Sequence, residues 1–104
     1  MFKPKLVATS NLLNTVSLEV LAELTRITLT VIQPVKPAWV IFKSTSEPAH
    51  DEDNGRTRVI PFPGIPKVYA VLDDYGDVET LQKEICDEII DTQYLVTLML
   101  ASDH

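Results

Sequence analysis

The alternation of apolar and polar positions changes period several times along this chain, and each change predicts an element. Lys5–Thr9 reads as a short first strand, with Pro4 acceptable at its start. From Ser10 onward two periods compete: Leu13, Val16, Val20, Leu24, Ile27 and Val31 recur at three- and four-residue steps, whereas Val16, Leu18, Val20, Ala22 and Leu24 alternate. Composition arbitrates. Residues 12–24 include Leu, Ala and Glu, all good helix formers, and Ser10 or Asn11 can cap the start, so a helix is expected there. The run Arg26-Ile27-Thr28-Leu29-Thr30-Val31-Ile32 is largely β-branched and alternating, which predicts a strand over 26–32. The competing reading takes 15–21 and 26–32 as two strands, giving a mainly-β N-terminal half with one C-terminal helix.

Pro34 and Pro37 fix a connection that cannot donate ladder hydrogen bonds, and Ala38–Lys43 then reads as a strand forming a hairpin with 26–32. Residues 44–55 form an exposed acidic loop containing Pro48 and Asp51-Glu52-Asp53. It ends in Asn54-Gly55, a dipeptide suited to the positive φ angles of a tight turn. Val59–Phe62 and Lys67–Leu72 read as strands; Pro61 and Pro63 require the first of them to lie at an edge or to stop early. Asp77 is an N-cap candidate for a helix over 78–91, with Val78, Leu81, Ile85 and Ile89 as its apolar stripe. Gln93–Leu100 either prolongs that helix or turns into a strand, and its β-branched and aromatic content together with the Asp91-Thr92-Gln93 break favours strand.

The order β-α-β-β, loop, β-β-α-β predicts a single α+β domain over residues 1–104, with two helices on one face of a mostly antiparallel sheet of about five strands. In element order it resembles the ferredoxin-like regulators of the signal-transducing PII type, whose long loop interrupts the middle hairpin. It is similar also to small phage head–tail joining proteins, in which helices flank a compact sheet. Both resemblances imply an α+β sandwich and assign no residue a role.

Composition narrows the function classes. The 104 residues are 45% apolar and 23% charged, ordinary for a folded domain. Residues 1–50 carry five Lys/Arg against three Asp/Glu and residues 51–104 four against twelve, within a net charge of −6. Such a chain offers no basic stripe for phosphates or an anionic bilayer, so neither direct nucleic-acid binding nor membrane association is expected. Glu19, Glu23 and Arg26 interrupt the apolar stretch between Leu6 and Ile32, which argues against a span. Ser10, Asn11, Asn14 and Ser17 interrupt any leader-like apolar run. Cys86 is the sole cysteine, which excludes an internal disulfide and suits a cytoplasmic location.

Few residues suggest chemistry. His50, Asp51, Glu52 and Asp53 could bind a divalent cation weakly, but adjacent side chains on a loop lack ligand spacing, and a solvated charged loop is the simpler reading. The calcium-loop pattern fails, since aligning Gly55 with its glycine puts His50 at the first ligand position and Pro61 at the last. Asp73, Asp74 and Asp77 sit at a strand-to-helix junction where carboxylates can hold magnesium or act as an acid–base pair, yet such turns are acidic for backbone reasons alone. Cys86 reads as a semi-buried structural thiol, because Glu84, Asp87 and Glu88 oppose a thiolate. Trp39, beside two prolines, is a candidate interface anchor as well as a core residue. No phosphate-cradling glycine run is present, and no catalytic, cofactor-binding or metal residues are assigned.

These readings lead to a non-enzymatic interaction or assembly domain acting as a homo-oligomer. A small-molecule-binding regulator using loop 44–55 is the second expectation. The third is an acidic inhibitor presenting Asp73 to Asp91, with eight carboxylates against Lys83, to a basic or nucleic-acid-binding partner.

Overall fold

A computed structural model describes residues 2–104. Nine regular elements follow one another: β1 (Lys5–Ala8), α1 (Ser10–Thr15), α2 (Leu18–Val31), β2 (Trp39–Lys43), β3 (His50–Glu52), β4 (Thr57–Pro61), β5 (Val68–Asp74), α3 (Val78–Glu84) and β6 (Tyr94–Leu100). Single 3-10 turns at Asp53–Gly55 and Ala101–Asp103 complete the set. The strands form one open sheet in the order β1-β6-β5-β2-β4-β3. The fold is α+β as expected, but the sheet is mixed and has six strands. β1 runs parallel to β6 and β2 parallel to β4, while β5 pairs antiparallel with both β2 and β6, and β3 with β4.

Residues 26–32 are not a strand. α2 runs from Leu18 to Val31 without a break, so the expected hairpin with Ala38–Lys43 is replaced by a helix-to-strand connection through Gln33–Pro37. The three- and four-residue steps prevailed because they place Leu24 and Thr28, both fully buried, with Val20, Leu21, Ile27 and Val31 against the sheet. Burial of that stripe outweighs the few tenths of a kcal/mol that each β-branched residue costs in a helix. The expected single helix over 12–24 divides in two at Val16-Ser17. Thr9, not Ser10 or Asn11, caps α1 by accepting from the Leu12 amide, and Ser17 caps α2 by accepting from Val20.

The core lies between these two helices and one face of the sheet. Leu12, Leu24 and Ile32 meet Val40, Phe42, Val68, Ala70, Val96 and Leu98, all fully buried. Phe2, Leu6, Ala8 and Phe62 pack around them. α3 does not share that layer. Its one buried residue, Leu81, lies outside the cluster, and Lys5, on the other face in register with Leu95, pairs with Glu88, so the segment after α3 reaches across the second face. The two helices expected together on one face, over 12–24 and 78–91, are therefore not on one face: α1 and α2 cover the core side, and α3 lies outside that layer.

Loop 44–55 is shorter than expected, because His50–Glu52 pairs with β4 and becomes an edge strand. The turn that returns the chain matches its sequence signal: Asp53, Asn54 and Gly55 all adopt positive φ, near +52°, +58° and +86°. β4 is consequently an interior strand: β3 pairs with it only as far as Val59, and on the other side its pairing with β2 runs through Pro61 to a last bond from the Phe62 amide to the Lys43 carbonyl at 2.9 Å. Helix α3 starts where Asp77 caps it but ends at Glu84, seven residues before the expected Asp91. Gln82 diverts the chain there. Its Nε2 donates to the carbonyls of Ile85 and Glu88, both at 2.7 Å, and its Oε1 accepts from the Ile90 amide at 2.8 Å. The expected stripe therefore breaks, with Ile89 96% exposed and Ile90 buried in its place. Cys86, in that irregular segment, is exposed rather than semi-buried. β6 forms as expected and holds β5 in a seven-residue antiparallel register.

Candidate functional site

The residues singled out by the sequence fall into separate parts of the sheet. His50, Asp51 and Glu52 are on β3 at one margin, with Asp53 in the turn beside it. Asp73, Asp74 and Asp77 stand where β5 leads into α3, separated from β3 by β2 and β4. Nothing brings the two acidic groups together.

At the β3 margin the ionisable groups pair locally. The His50 ring reaches the Pro48 carbonyl through Nδ1 and the Glu52 carboxylate through Nε2, both at 3.0 Å. The Pro48 carbonyl first, and the Glu52 carboxylate second, hold its pKa above the usual imidazole range. Arg58 Nη1 donates to Asp51 at 3.1 Å, and Lys36 Nζ donates to the Asn54 carbonyl at 2.9 Å. Val31, Lys36, Pro37, Asp51, Gly55 and Arg58 line a cleft of about 420 Å³ between the end of α2 and this edge.

At the β5–α3 junction the carboxylates serve the backbone. Asp77 accepts from the Thr80 amide at 2.8 Å, which pulls its pKa below the ordinary carboxylate range. Asp74 accepts from the Gly76 amide at 2.8 Å and from Gln93 at 2.9 Å. Asp73 is exposed. Among the described residues no three His, Cys, Asp or Glu side chains gather as a metal ion would require.

Trp39 lies on the sheet face opposite the main core. Its ring meets Tyr69 edge-on with centroids 5.5 Å apart and His104 at 5.0 Å. Register places Ile41, Val59, Val71 and Met99 on the same face. Trp39 is half-buried there, a packed residue with an open side.

The most unusual surface belongs to α2, and the sequence reading missed it. Leu18 is 83% exposed and Leu29 46%, although the other side of this helix fills the core. At 100° per residue, Leu18, Ala22, Thr25 and Leu29 fall within an arc of about 60°. They form a second apolar stripe facing away from the sheet. Beside Leu29, a hollow of about 450 Å³ is lined by Phe2, Lys3, Pro4, Leu29 and Gln33. Arg26 flanks the stripe and is joined as an ion pair to Glu23, which lies further round the helix toward the sheet-facing side. The signal in the sequence was apolar residues on more than one helical face, legible only if residues 18–31 are taken as one helix.

No protein-family model, curated protein or solved structure matches this chain. Among the described residues no helix is long and apolar enough to cross a membrane.

Proposed function

We propose that this chain is a non-enzymatic interaction or assembly domain that works as a homo-oligomer. The observation that carries the reading is α2, which buries one apolar face against the sheet and presents Leu18 and Leu29 on another. Isolated surface leucines need no explanation; a stripe of them beside an apolar hollow marks a contact surface. The open sheet adds to this. Its margins, β1 and β3, are only four and three residues long, which blunts them against edge pairing and leaves the outer face of α2 as the candidate contact. Sedimentation equilibrium at micromolar concentration tests the reading directly: a mass above the monomer is expected, and a monomer throughout refutes it.

A second reading, a small-molecule-binding regulator, is favoured by the cleft at the β3 margin. Lys36 and Arg58 bring two cations to its wall against Asp51. That composition suits a ligand with an anionic group. A thermal-shift series with carboxylate and phosphate metabolites should then show stabilisation that K36A weakens; a flat response across the series removes this reading.

A further inference from the structure

We infer that the cleft at the β3 margin takes a free α-amino acid with an apolar side chain, its carboxylate held by Lys36 and Arg58 and its ammonium by Asp51 and the C-terminal end of α2. The inference rests on the small-molecule reading above and names the ligand class of that same site.

The polar groups around the cleft leave donors to spare. Lys36 Nζ spends one of its three N–H groups on the Asn54 carbonyl at 2.9 Å. Arg58 spends one on Asp51, from Nη1 to Oδ1 at 3.1 Å, and its Nε is buried without a partner, so the outer part of the guanidinium fork is what a ligand can reach. A carboxylate suits both cations.

Acceptors are left over as well. Asp51 engages Oδ1 alone, and among the described residues its Oδ2 meets no donor. Val31, which lines the cleft, is the last residue of α2, and the carbonyls of Leu29, Thr30 and Val31 accept no backbone bond. The Gln33 amide turns instead to the Pro37 carbonyl at 3.0 Å, and Pro34 has no amide to give. The last turn of α2 carries no basic residue, so the negative end of the helix dipole is uncompensated. An ammonium group suits this side.

A ligand with one charge answers half of these demands. A carboxylate alone competes with Asp51 for Arg58 and leaves the helix end without a cation; an amine alone does the reverse. A zwitterion answers both. In an α-amino acid the two charges sit on one carbon, and Asp51 and Arg58 are likewise adjacent, facing each other across the β3–β4 ladder with Cβ atoms about 5 Å apart. Val31 and Pro37, both half-buried, give the remaining wall its apolar character. The cleft, about 420 Å³, lies toward the small end of the roughly 300–1,000 Å³ of small-molecule sites, the size for an amino acid rather than a nucleotide.

Amide chemical-shift titration of the whole chain with three probes of related skeleton tests this. L-Leucine should shift the amides of Val31, Gly55 and Arg58 and saturate with a dissociation constant on the order of 1 mM, the scale for nine non-hydrogen atoms in an open cleft. 4-Methylpentanoate, which lacks the ammonium, and 3-methylbutylamine, which lacks the carboxylate, should each bind about tenfold more weakly or worse, the loss of one charge-assisted contact. Asp51→Asn should weaken L-leucine about fivefold or more and leave 4-methylpentanoate as it is or tighter, whereas Lys36→Gln should weaken both. Both positions are exposed, so unchanged shifts elsewhere in the spectrum show that the fold persists. Either single-charge probe matching L-leucine, or an Asp51→Asn variant that binds L-leucine unchanged, overturns the amino-acid assignment; where 4-methylpentanoate is the probe that matches, the anionic-ligand reading stands. Amides that stay put with all three probes at tens of millimolar overturn both.

Discussion

Gln82 provides the sharpest test of how this fold is held, because one exposed-looking polar residue ends a helix and closes a loop. Its amide makes three bonds to the chain after α3: to the carbonyls of Ile85 and Glu88 and from the amide of Ile90. Each such bond contributes about 0.5–1.5 kcal/mol net. Water can replace part of this, since the Glu88 bond is exposed, so Gln82→Ala should cost about 2 kcal/mol. If Ile90 then leaves its buried position, the cost grows by a further 1.5–3 kcal/mol, again about the scale of one buried apolar side chain. For a chain of this size the smaller figure corresponds to a fall in melting temperature on the order of 10 °C. Thermal unfolding by circular dichroism measures it, and hydrogen exchange at the Ile90 amide locates it. Gln82→Glu sharpens the comparison: the acceptor for Ile90 is retained, but both donors are lost and a carboxylate faces two carbonyl oxygens, so at neutral pH it should be at least as damaging as alanine. A shift below about 2 °C for Gln82→Ala, with Ile90 protection unchanged, would refute the reasoning.

Other consequences follow from single groups. Thr28 is fully buried on α2 and its hydroxyl has no hydrogen-bond partner, so Thr28→Val should stabilise by about 1 kcal/mol, read as a raised denaturant midpoint; a loss of stability would mean that the hydroxyl is satisfied. Leu24→Ala, in the centre of the same helix, should cost about 2–5 kcal/mol in denaturant titration, far more than an edge position of a sheet hairpin would show. The Asp77 cap has a lowered folded-state pKa, so its contribution is present above the unfolded carboxylate value and is lost as pH falls through the folded one; Asp77→Asn should flatten that acid limb of the melting profile. His50 titrates the other way. Its folded-state pKa is raised, so its contribution to the β3 edge is complete below about 6.5 and disappears as pH rises through the folded value. Amide exchange of residues 50–52, corrected for intrinsic rate, should accelerate across that range and lose its pH dependence in His50→Gln.

What could be read from the chain was what depends on near neighbours. The strands around Trp39–Lys43, Thr57–Pro61, Val68–Asp74 and Tyr94–Leu100, the positive-φ turn at Asn54-Gly55 and the Asp77 cap all follow from local alternation or local backbone chemistry. The parallel pairings do not. β1 meets β6 from the far end of the chain, and β2 meets β4 across an intervening edge strand, so no local pattern announces either. Nor does periodicity announce the end of α3. Ile85 and Ile89 continue its stripe on paper, but three hydrogen bonds from a single glutamine outweigh that continuation and bury Ile90 instead.

The misread segment and the overlooked surface are the same piece of chain, and that is a matter of geometry. With 26–32 extended, Leu29 belongs to a strand and Leu18 to a helix, and no rule relates their directions. Once α2 continues through Arg26, eleven residues make just over three turns, and Leu29 stands almost directly in line with Leu18. The β-branched residues that suggested a strand are the ones that secure this. Ile27, Thr28 and Val31 face the sheet, where burial holds them helical, and so leave Leu18, Ala22, Thr25 and Leu29 on the outside. A change that breaks the helix in the middle, such as Arg26→Pro, should therefore cost about 3 kcal/mol or more in denaturant titration even though Arg26 itself is exposed, because it parts Leu24 from Ile27, Thr28 and Val31 along the face that the sheet covers.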